Sequence, residues 1–241
     1  MKALDRFGTI GKLVTLDIKL IFRHKRTRTI LFLTPVFLAY GLFFYLVDDY
    51  QGSIIAYLFA GIFITGMFLM NYGQFLYSWE SEHFDAILAH NINTKNYIKA
   101  KFSLMVPVAL VSFVFSLLYG FLDPMAIPIN TAAMLFNIGI NSFVLMYLST
   151  NNSKRLSLKK GGTFNAQGVS INQFVMMIPL LLLPIGIYWL FSYLGDPYIG
   201  LGVVGGLGLL SLFLYDSWFN LITKRFKEKK YKMAAGFRKQ D

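Results

Sequence analysis

Long apolar runs alternate with short polar segments along the whole chain. Six of these runs have the length needed to cross a bilayer as a helix, which is about 20 residues. They occupy residues 30–47, 53–78, 102–122, 129–149, 172–194 and 198–221. The pattern predicts an all-α polytopic membrane protein, in which residues 1–241 form a single transmembrane domain with six transmembrane helices.

The polar segments divide this domain into predicted parts. In chain order these are an interfacial segment at 1–29, spans 1–2 in 30–78, a polar segment at 79–101, spans 3–4 in 102–149, a loop at 150–171, spans 5–6 in 172–221 and a basic tail at 222–241. The remaining links, 48–52, 123–128 and 195–197, are very short and contain Asp but no base.

The segment before the first span predicts an amphipathic helix. Its apolar stripe consists of Phe7, Ile10, Val14, Ile18 and Ile21. A second stripe carries Lys12, Lys19, Arg23 and Arg26, so the helix is expected to lie in the membrane interface with these bases toward lipid phosphates. The basic run at 23–28 fits a stop-transfer charge cluster and also a specific site for lipid headgroups.

Charge distribution predicts the orientation. Only 15% of the residues are charged, against about 25% in soluble domains. All 23 lysines and arginines lie in the first segment, in 79–101, in 150–171 or in the tail. The positive-inside rule then places both termini and these two connecting segments in the cytoplasm of a multi-pass protein of the plasma (inner) membrane. Since the bases flank apolar runs, no nucleic-acid partner is expected.

The polar segment 79–101 is the longest polar interruption between the apolar runs. It begins with the acids Glu80, Glu82 and Asp85 and ends with three lysines. Between them Phe84, Ile87 and Leu88 have helical spacing, which predicts a short amphipathic helix at the cytoplasmic face. Such a helix between two spans can serve as a docking surface.

Two further patterns concern packing inside the membrane. Asn130, Asn137 and Asn141 share one face of the fourth span and are expected to point into the bundle, either lining a polar path or joining helices. In the glycine-rich sixth span, Gly202 and Gly206 form a G-x-x-x-G motif, which predicts close approach of a neighbouring helix.

Catalytic chemistry is not indicated by the sequence. It contains neither a G-x-x-x-x-G-K-[ST] nor an H-E-x-x-H motif, and it has no cysteine. No catalytic residue, no metal ligand and no cofactor of its own is therefore predicted. A membrane-embedded enzyme remains one alternative, with the asparagine row as its candidate polar site, and a passive pathway for lipid or solute that needs no ATPase is another.

The chain resembles the transmembrane subunit of ATP-binding-cassette (ABC) exporters of the type-2 permease family. Four features carry this resemblance over essentially the whole chain. They are the basic N-terminal helix L-D-I-K-L-I-F-R-H-K-R-T-R, the six spans with both ends inside, the segment ending in N-T-K-N-Y-I-K-A-K, and the basic tail K-R-F-K-E-K-K-Y-K-M-A-A-G-F-R. One departure is the short polar link between spans five and six, where the family often has re-entrant helices.

The resemblance implies a permease that moves a substrate outward by means of a partner. The partner is a separate ATPase subunit, which binds ATP and Mg²⁺ and docks on a coupling helix at 79–91. Glu80, Glu82, Phe84, Asp85, Ile87 and Leu88 would form this docking site, and the N-terminal helix would be the connecting helix. The family further implies a second permease copy or half. Membrane lipids are the remaining expected partner.

Overall fold

The structure, a computed structural model, describes residues 4, 6–90, 92–156 and 171–239, with side chains for all of these except 171–177. It is built from helices, and the described residues contain no strand. The helices are α1 (Gly8–Arg23), α2 (Lys25–Leu46), α3 (Ile54–Gly73), α4 (Phe84–Ala89), α5 (Thr94–Ser116), α6 (Ala126–Phe136), α7 (Ser142–Leu148), α8 (Ile171–Leu194), α9 (Pro197–Phe213) and α10 (Tyr215–Arg238). The all-α prediction is confirmed for these residues.

Four stretches of helix are long and apolar enough to cross a membrane. They are Lys25–Leu46, Ile54–Gly73, Thr94–Phe121 and Ala126–Asn151. The bent pair α9 and α10 gives a fifth if it counts as one span, and residues 178–194 of α8 form a shorter apolar helix. The helices therefore indicate a multi-pass membrane protein. The count of six spans stays a prediction.

The predicted sixth span, 198–221, does not continue as a single straight helix. α9 ends at Phe213, Leu214 leaves the helical conformation, and α10 starts at Tyr215 at an angle of 70°. The predicted tail is thus mostly helical up to Arg238. Its buried apolar residues recur at helical spacing, which explains why the segment packs on the bundle: Phe219, Ile222, Phe226, Met233 and Phe237.

The interfacial segment is also shorter than predicted. α1 ends at Arg23, because the backbone of His24 is extended (φ −104°, ψ 129°), and α2 begins at Lys25. The predicted loop 150–171 is described only up to residue 156. Residues 157–170 lie outside the described residues, as does Asn91 at the end of the predicted coupling helix.

α3 is the central helix of the bundle. It packs against α2, α5 and α6, and 61% of its most apolar stretch of 18 residues is buried inside the chain. The corresponding share for α2 is only 17%, so α2 lies at the periphery. α3 combines small and large apolar residues that fill the space between its neighbours, in keeping with the density of protein interiors.

One end of the bundle is formed by α1, α4, the first turns of α5, and α10. Ion pairs connect these elements: Lys95 on α5 lies 3.1 Å from Asp216 on α10, and Arg238 on α10 lies 2.8 Å from Asp85 on α4. We call this the basic end, because lysines and arginines from all of these helices except α4 gather there. It contains the segments to which the sequence assigned a docking function.

The glycines of α9 make a close helix contact, but not at the predicted motif. A Cβ atom on Gly208 would lie 2.4 Å from the backbone carbon of Leu135 on α6, and one on Gly139 would lie 1.9 Å from the carbonyl oxygen of Gly208. At Gly202 and Gly206 a Cβ would have no neighbour within 4 Å. The contact therefore uses the opposite side of α9 from the G-x-x-x-G pair.

Substitution of Gly208 by Ala tests this packing. We expect Gly208→Ala to lower the free energy of unfolding by about 1–3 kcal/mol, because backbone rather than a flexible side chain blocks the added methyl group. Gly206→Ala is the matched control on the same helix and should leave stability nearly unchanged. Thermal or denaturant unfolding in detergent gives the comparison, and equal stability of the two variants would contradict the assigned contact.

Candidate functional site

Three charged side chains meet inside the basic end, where α1 crosses α5. The ammonium group of Lys101 on α5 lies 2.6 Å from Oδ1 of Asp17 on α1 and 2.8 Å from Oε1 of Glu80. Glu80 belongs to the 3-10 turn Ser78–Glu80 that follows α3. The side chains of Lys101 and Asp17 are 1% and 2% exposed, and that of Glu80 is 13% exposed. One lysine therefore joins three segments of the chain through charge-assisted hydrogen bonds.

Tyr97 completes this arrangement from one turn earlier on α5. Its hydroxyl group donates to Oε2 of Glu80, and the Lys101 ammonium lies 5.0 Å from the centre of its ring. Positions i and i+4 share a helix face, so Tyr97 and Lys101 reach the same site. We call Asp17, Glu80, Tyr97 and Lys101 the Lys101 cluster.

The sequence analysis assigned no role to Asp17 and missed this cluster. Asp17 lies on the inward face of α1, between the buried residues Val14 and Ile21. The three are spaced by three and four positions, which is the spacing of one helix face. An acid at a buried position of an amphipathic helix needs a partner, and this was the available signal.

A cavity of about 320 Å³ adjoins the cluster between α1 and α4. Asp17, Glu80 and Tyr97 form part of its wall, and leucine and isoleucine side chains form most of the remainder. His24 and His83 also line it. The cavity is large enough to hold water, so the carboxylates of the cluster border a space through which a proton can reach them.

Burial changes the acidity of the cluster. It raises the pKa of Asp17 to about 7, because desolvation disfavours the carboxylate. The charge of Lys101 acts against this rise in the pKa of Asp17, and the charge of Glu80 adds to it. When both acids are ionised, two negative charges share one lysine. The ionised cluster therefore holds one negative charge in excess.

Phe84, the predicted docking anchor, is not at the surface. Its side chain is 1% exposed, and its ring centre lies 5.1 Å from that of Phe237 and 6.1 Å from that of Phe226. Both partners belong to α10, which covers this face of α4. Ile87 and Leu88 are half-buried. An exposed anchor at Phe84 is therefore a wrong prediction, because the sequence analysis treated α10 as a basic tail rather than as an amphipathic helix.

The predicted docking acids are engaged within the chain. Glu80 is part of the Lys101 cluster, and Glu82 lies 3.8 Å from Arg155. Asp85 accepts two hydrogen bonds from the guanidinium group of Arg238, at 2.9 and 2.8 Å. These bonds hold the pKa of the exposed Asp85 carboxyl below its usual range. Of the three acids, only Asp85 lies at the surface of the structure.

The predicted basic stripe divides at the end of α1. Lys12, Lys19 and Arg23 are exposed, in agreement with an outward basic face of this helix. Arg26 belongs to α2 and is only 8% exposed, with its guanidinium carbon 5.6 Å from the ring centre of Trp79. Arg26 therefore packs inside the basic end and does not belong to the outward face.

Two of the predicted intramembrane asparagines connect helices. Nδ2 of Asn137 donates to the carbonyl oxygen of Ile62 at 2.9 Å and to the hydroxyl oxygen of Thr65 at 2.8 Å, both on α3. Nδ2 of Asn141 donates to the carbonyl oxygen of Leu180 on α8 at 3.0 Å and to Oδ1 of Asn137. The π-helical turn Asn137–Asn141 thus bonds to two neighbouring helices.

Asn130 lies about two helical turns before Asn137 and also connects neighbouring helices. Its Nδ2 donates to the carbonyl oxygen of Ser116 on α5, and its Oδ1 accepts from the hydroxyl group of Tyr45 on α2. All three asparagines are at most 1% exposed. Their hydrogen bonds favour the packing interpretation of this row over a polar path.

A family model described as "Family of unknown function (DUF5687)" matches residues 1–240 of the chain. The match covers the basic end and the whole bundle. Comparison with curated proteins and with solved structures finds no match.

Removal of Lys101 tests the importance of the cluster. Lys101→Met leaves two carboxylates without their shared base, and we expect a loss of about 3–5 kcal/mol in the free energy of unfolding. Lys99→Met is the matched control on the same helix. The Lys99 side chain is 30% exposed and lies 3.7 Å from an exposed Asp216, so its loss should change that free energy by about 1 kcal/mol or less. Unfolding in detergent at pH 8 measures both, and equal losses would contradict a special role for Lys101.

Proposed function

The chain belongs to the DUF5687 family, and we propose that this member is the membrane-spanning permease subunit of an ABC exporter. It moves a substrate outward by means of ATP, which a separate ATPase subunit hydrolyses with Mg²⁺. The observation that carries this proposal is the position of α4. This short helix lies between two candidate spans, α3 and α5, at the basic end, and it is fixed to the bundle on both sides.

The contacts of α4 suit it to transmit force. Phe84 packs into α10, and the turn before α4 contains Glu80, which is bound to Lys101 on α5. Lys101 in turn binds Asp17 on α1. A displacement of α4 therefore passes directly to a candidate span and to the helix that leads into α2. A loosely attached loop would absorb such a displacement, whereas a buried ion network resists it.

The surface that α4 offers to a partner differs from the one first predicted. Its exposed residues are Asp85, Ala86 and Ala89, and the exposed His83 and His90 flank the helix on either side. Two alanines give a small, flat surface that a groove on the ATPase can approach closely. Ile87 and Leu88 contribute only the parts of their side chains that stay accessible. We assign docking to this face and leave Phe84 as its internal support.

Orientation and pairing are further parts of this proposal. The segregation of the bases supports a cytoplasmic position of the basic end through the positive-inside rule, and a cytoplasmic ATPase could reach α4 there. The plasma (inner) membrane is the corresponding location. A second permease copy or half would complete the path. The peripheral position of α2, which exposes Phe32 and Tyr40, leaves room for this partner.

A charged side chain on the exposed face of α4 should prevent docking. Ala86→Arg places a long cation where the proposed ATPase approaches, and we expect at least a tenfold loss in affinity, or about 1.4 kcal/mol. The measurement uses the tagged chain, purified in mild detergent from its native membranes. It records the amount of an ATPase subunit that co-purifies and the Mg²⁺-dependent ATP hydrolysis of the complex.

The control substitution at the same position is Ala86→Ser, which keeps the surface small and should retain the complex. Full complex and full ATP hydrolysis in Ala86→Arg would contradict docking on this face. Movement of lipid or solute by proteoliposomes that contain the chain and no ATPase would instead favour a passive pathway.

The proposed orientation has its own test, because the natural sequence has no cysteine that would react. Single cysteines at Gln51 and Asp123 should react with a membrane-impermeant thiol reagent added outside intact cells. A cysteine at Ser153 or Lys232 should react only after the membrane is opened. Labelling of Lys232→Cys in intact cells would reverse the orientation and remove the docking face from the cytoplasm.

A further inference from the structure

The Lys101 cluster has an unbalanced set of charges. Two carboxylates, Asp17 and Glu80, contact a single ammonium group within 2.8 Å, and the Asp17 and Lys101 side chains are almost completely buried. A net negative charge at a buried site is costly, because burial reduces its solvation by water. The least costly state adds one positive charge to the site.

A proton is the ligand that this geometry favours. The cluster borders a cavity of about 320 Å³, which gives water access to Asp17 and Glu80. Once one carboxyl group is protonated, Lys101 and the other carboxylate form a neutral pair. We propose that Asp17, with Glu80 and Lys101 as its neighbours, is a proton-binding site that controls how firmly α1 is attached to the bundle.

The surroundings of Asp17 support the assignment to this residue. Lys101 and Tyr97 face it from α5 and Glu80 from the turn after α3, and Tyr72 of α3 lies near enough to interact with its charge. Lys19, Arg23, His24 and His83 line the adjoining cavity. Burial holds the pKa of Asp17 near 7, so its proton is exchanged within the physiological range.

The direction of the pH effect follows from linkage. When α1 is attached, the pKa of Asp17 is about 7. When α1 detaches, Asp17 is solvated and its pKa returns to about 3.9. The attached state therefore binds the proton more tightly. The proton on Asp17 therefore stabilises the attached state. This stabilisation is complete below about pH 4 and is lost as the pH rises through 7, with little further change above that.

Hydrogen exchange of the backbone amides of α1 measures this attachment. We use the full chain in nanodiscs of zwitterionic lipid, without an ATPase, and correct for the intrinsic pH dependence of exchange. The ratio of open to closed α1 should increase roughly tenfold per pH unit between pH 5 and pH 7 and then level off. This experiment is independent of the transport proposal, because it needs no partner protein.

Substitutions distinguish Asp17 from the nearby histidines. Asp17→Asn imitates the protonated state, leaves Glu80 and Lys101 as a balanced pair, and should give an opening ratio that does not change with pH. Glu80→Gln removes the charge that opposes ionisation of Asp17. The pH at which the opening ratio of α1 levels off should therefore be lower in this variant. His24→Gln and His83→Gln replace the two histidines that line the cavity, and as controls they should keep the wild-type response.

Three results would overturn the proposal. The first is an opening ratio in the wild-type chain that changes less than threefold between pH 5 and pH 7. The second is an Asp17→Asn variant that keeps the full pH response. The third, which decides the matter if Asp17→Asn does not fold, is a Glu80→Gln variant whose transition stays at the wild-type pH.

Discussion

Lys101 is buried between two carboxylates that come from different parts of the chain, and the arrangement of the basic end depends on this contact. The lysine holds α1 through Asp17 and the end of α3 through Glu80. Removal of the Lys101 charge alone would leave two carboxylates in a poorly solvated place without a counter-charge. The ion network therefore specifies how three helices meet, whatever its net contribution to the free energy of unfolding.

The interior of the bundle uses a different kind of polar contact. The amides of Asn130, Asn137 and Asn141 bond to helices on several sides. Hydrogen bonds between membrane helices contribute on average about 0.6 kcal/mol each, so a few of them cannot hold the bundle together. They instead fix the register between neighbouring helices, since each amide finds its partners at only one relative position of the helices. Close packing at Gly208 adds a second restriction of this kind.

The sequence predicted those features that depend on local composition. Helical class, the location of the apolar helices and the inward direction of the asparagine row all follow from spacing along the chain. The pairing of Asp17 with Lys101 did not, because the two residues lie 84 positions apart and nothing in the sequence states which helices meet. Asp17 on the inward face of α1 nevertheless signalled that some buried partner exists.

The errors at α4 and α10 share one cause. Phe84 was interpreted as exposed because the segment beyond residue 221 was judged by its many bases and not by the spacing of Phe226, Met233 and Phe237 between them. A basic composition and an amphipathic pattern are compatible, because bases occupy the outer face of such a helix. The bend at Leu214 was also not predictable from apolar content, since the apolar content of the segment does not indicate that α10 packs against α4 and α5.

Because α10 covers Phe84, this side chain can be buried only after the end of the chain has been synthesised. α10 reaches α4 across a sequence separation of 153 residues between Asp85 and Arg238. The ribosome makes α4 long before α10, and every later span enters the membrane while Phe84 is still bare. A chain interrupted before α10 consequently displays an aromatic side chain at the membrane surface, where chaperones and proteases that recognise apolar groups can distinguish it from a finished molecule.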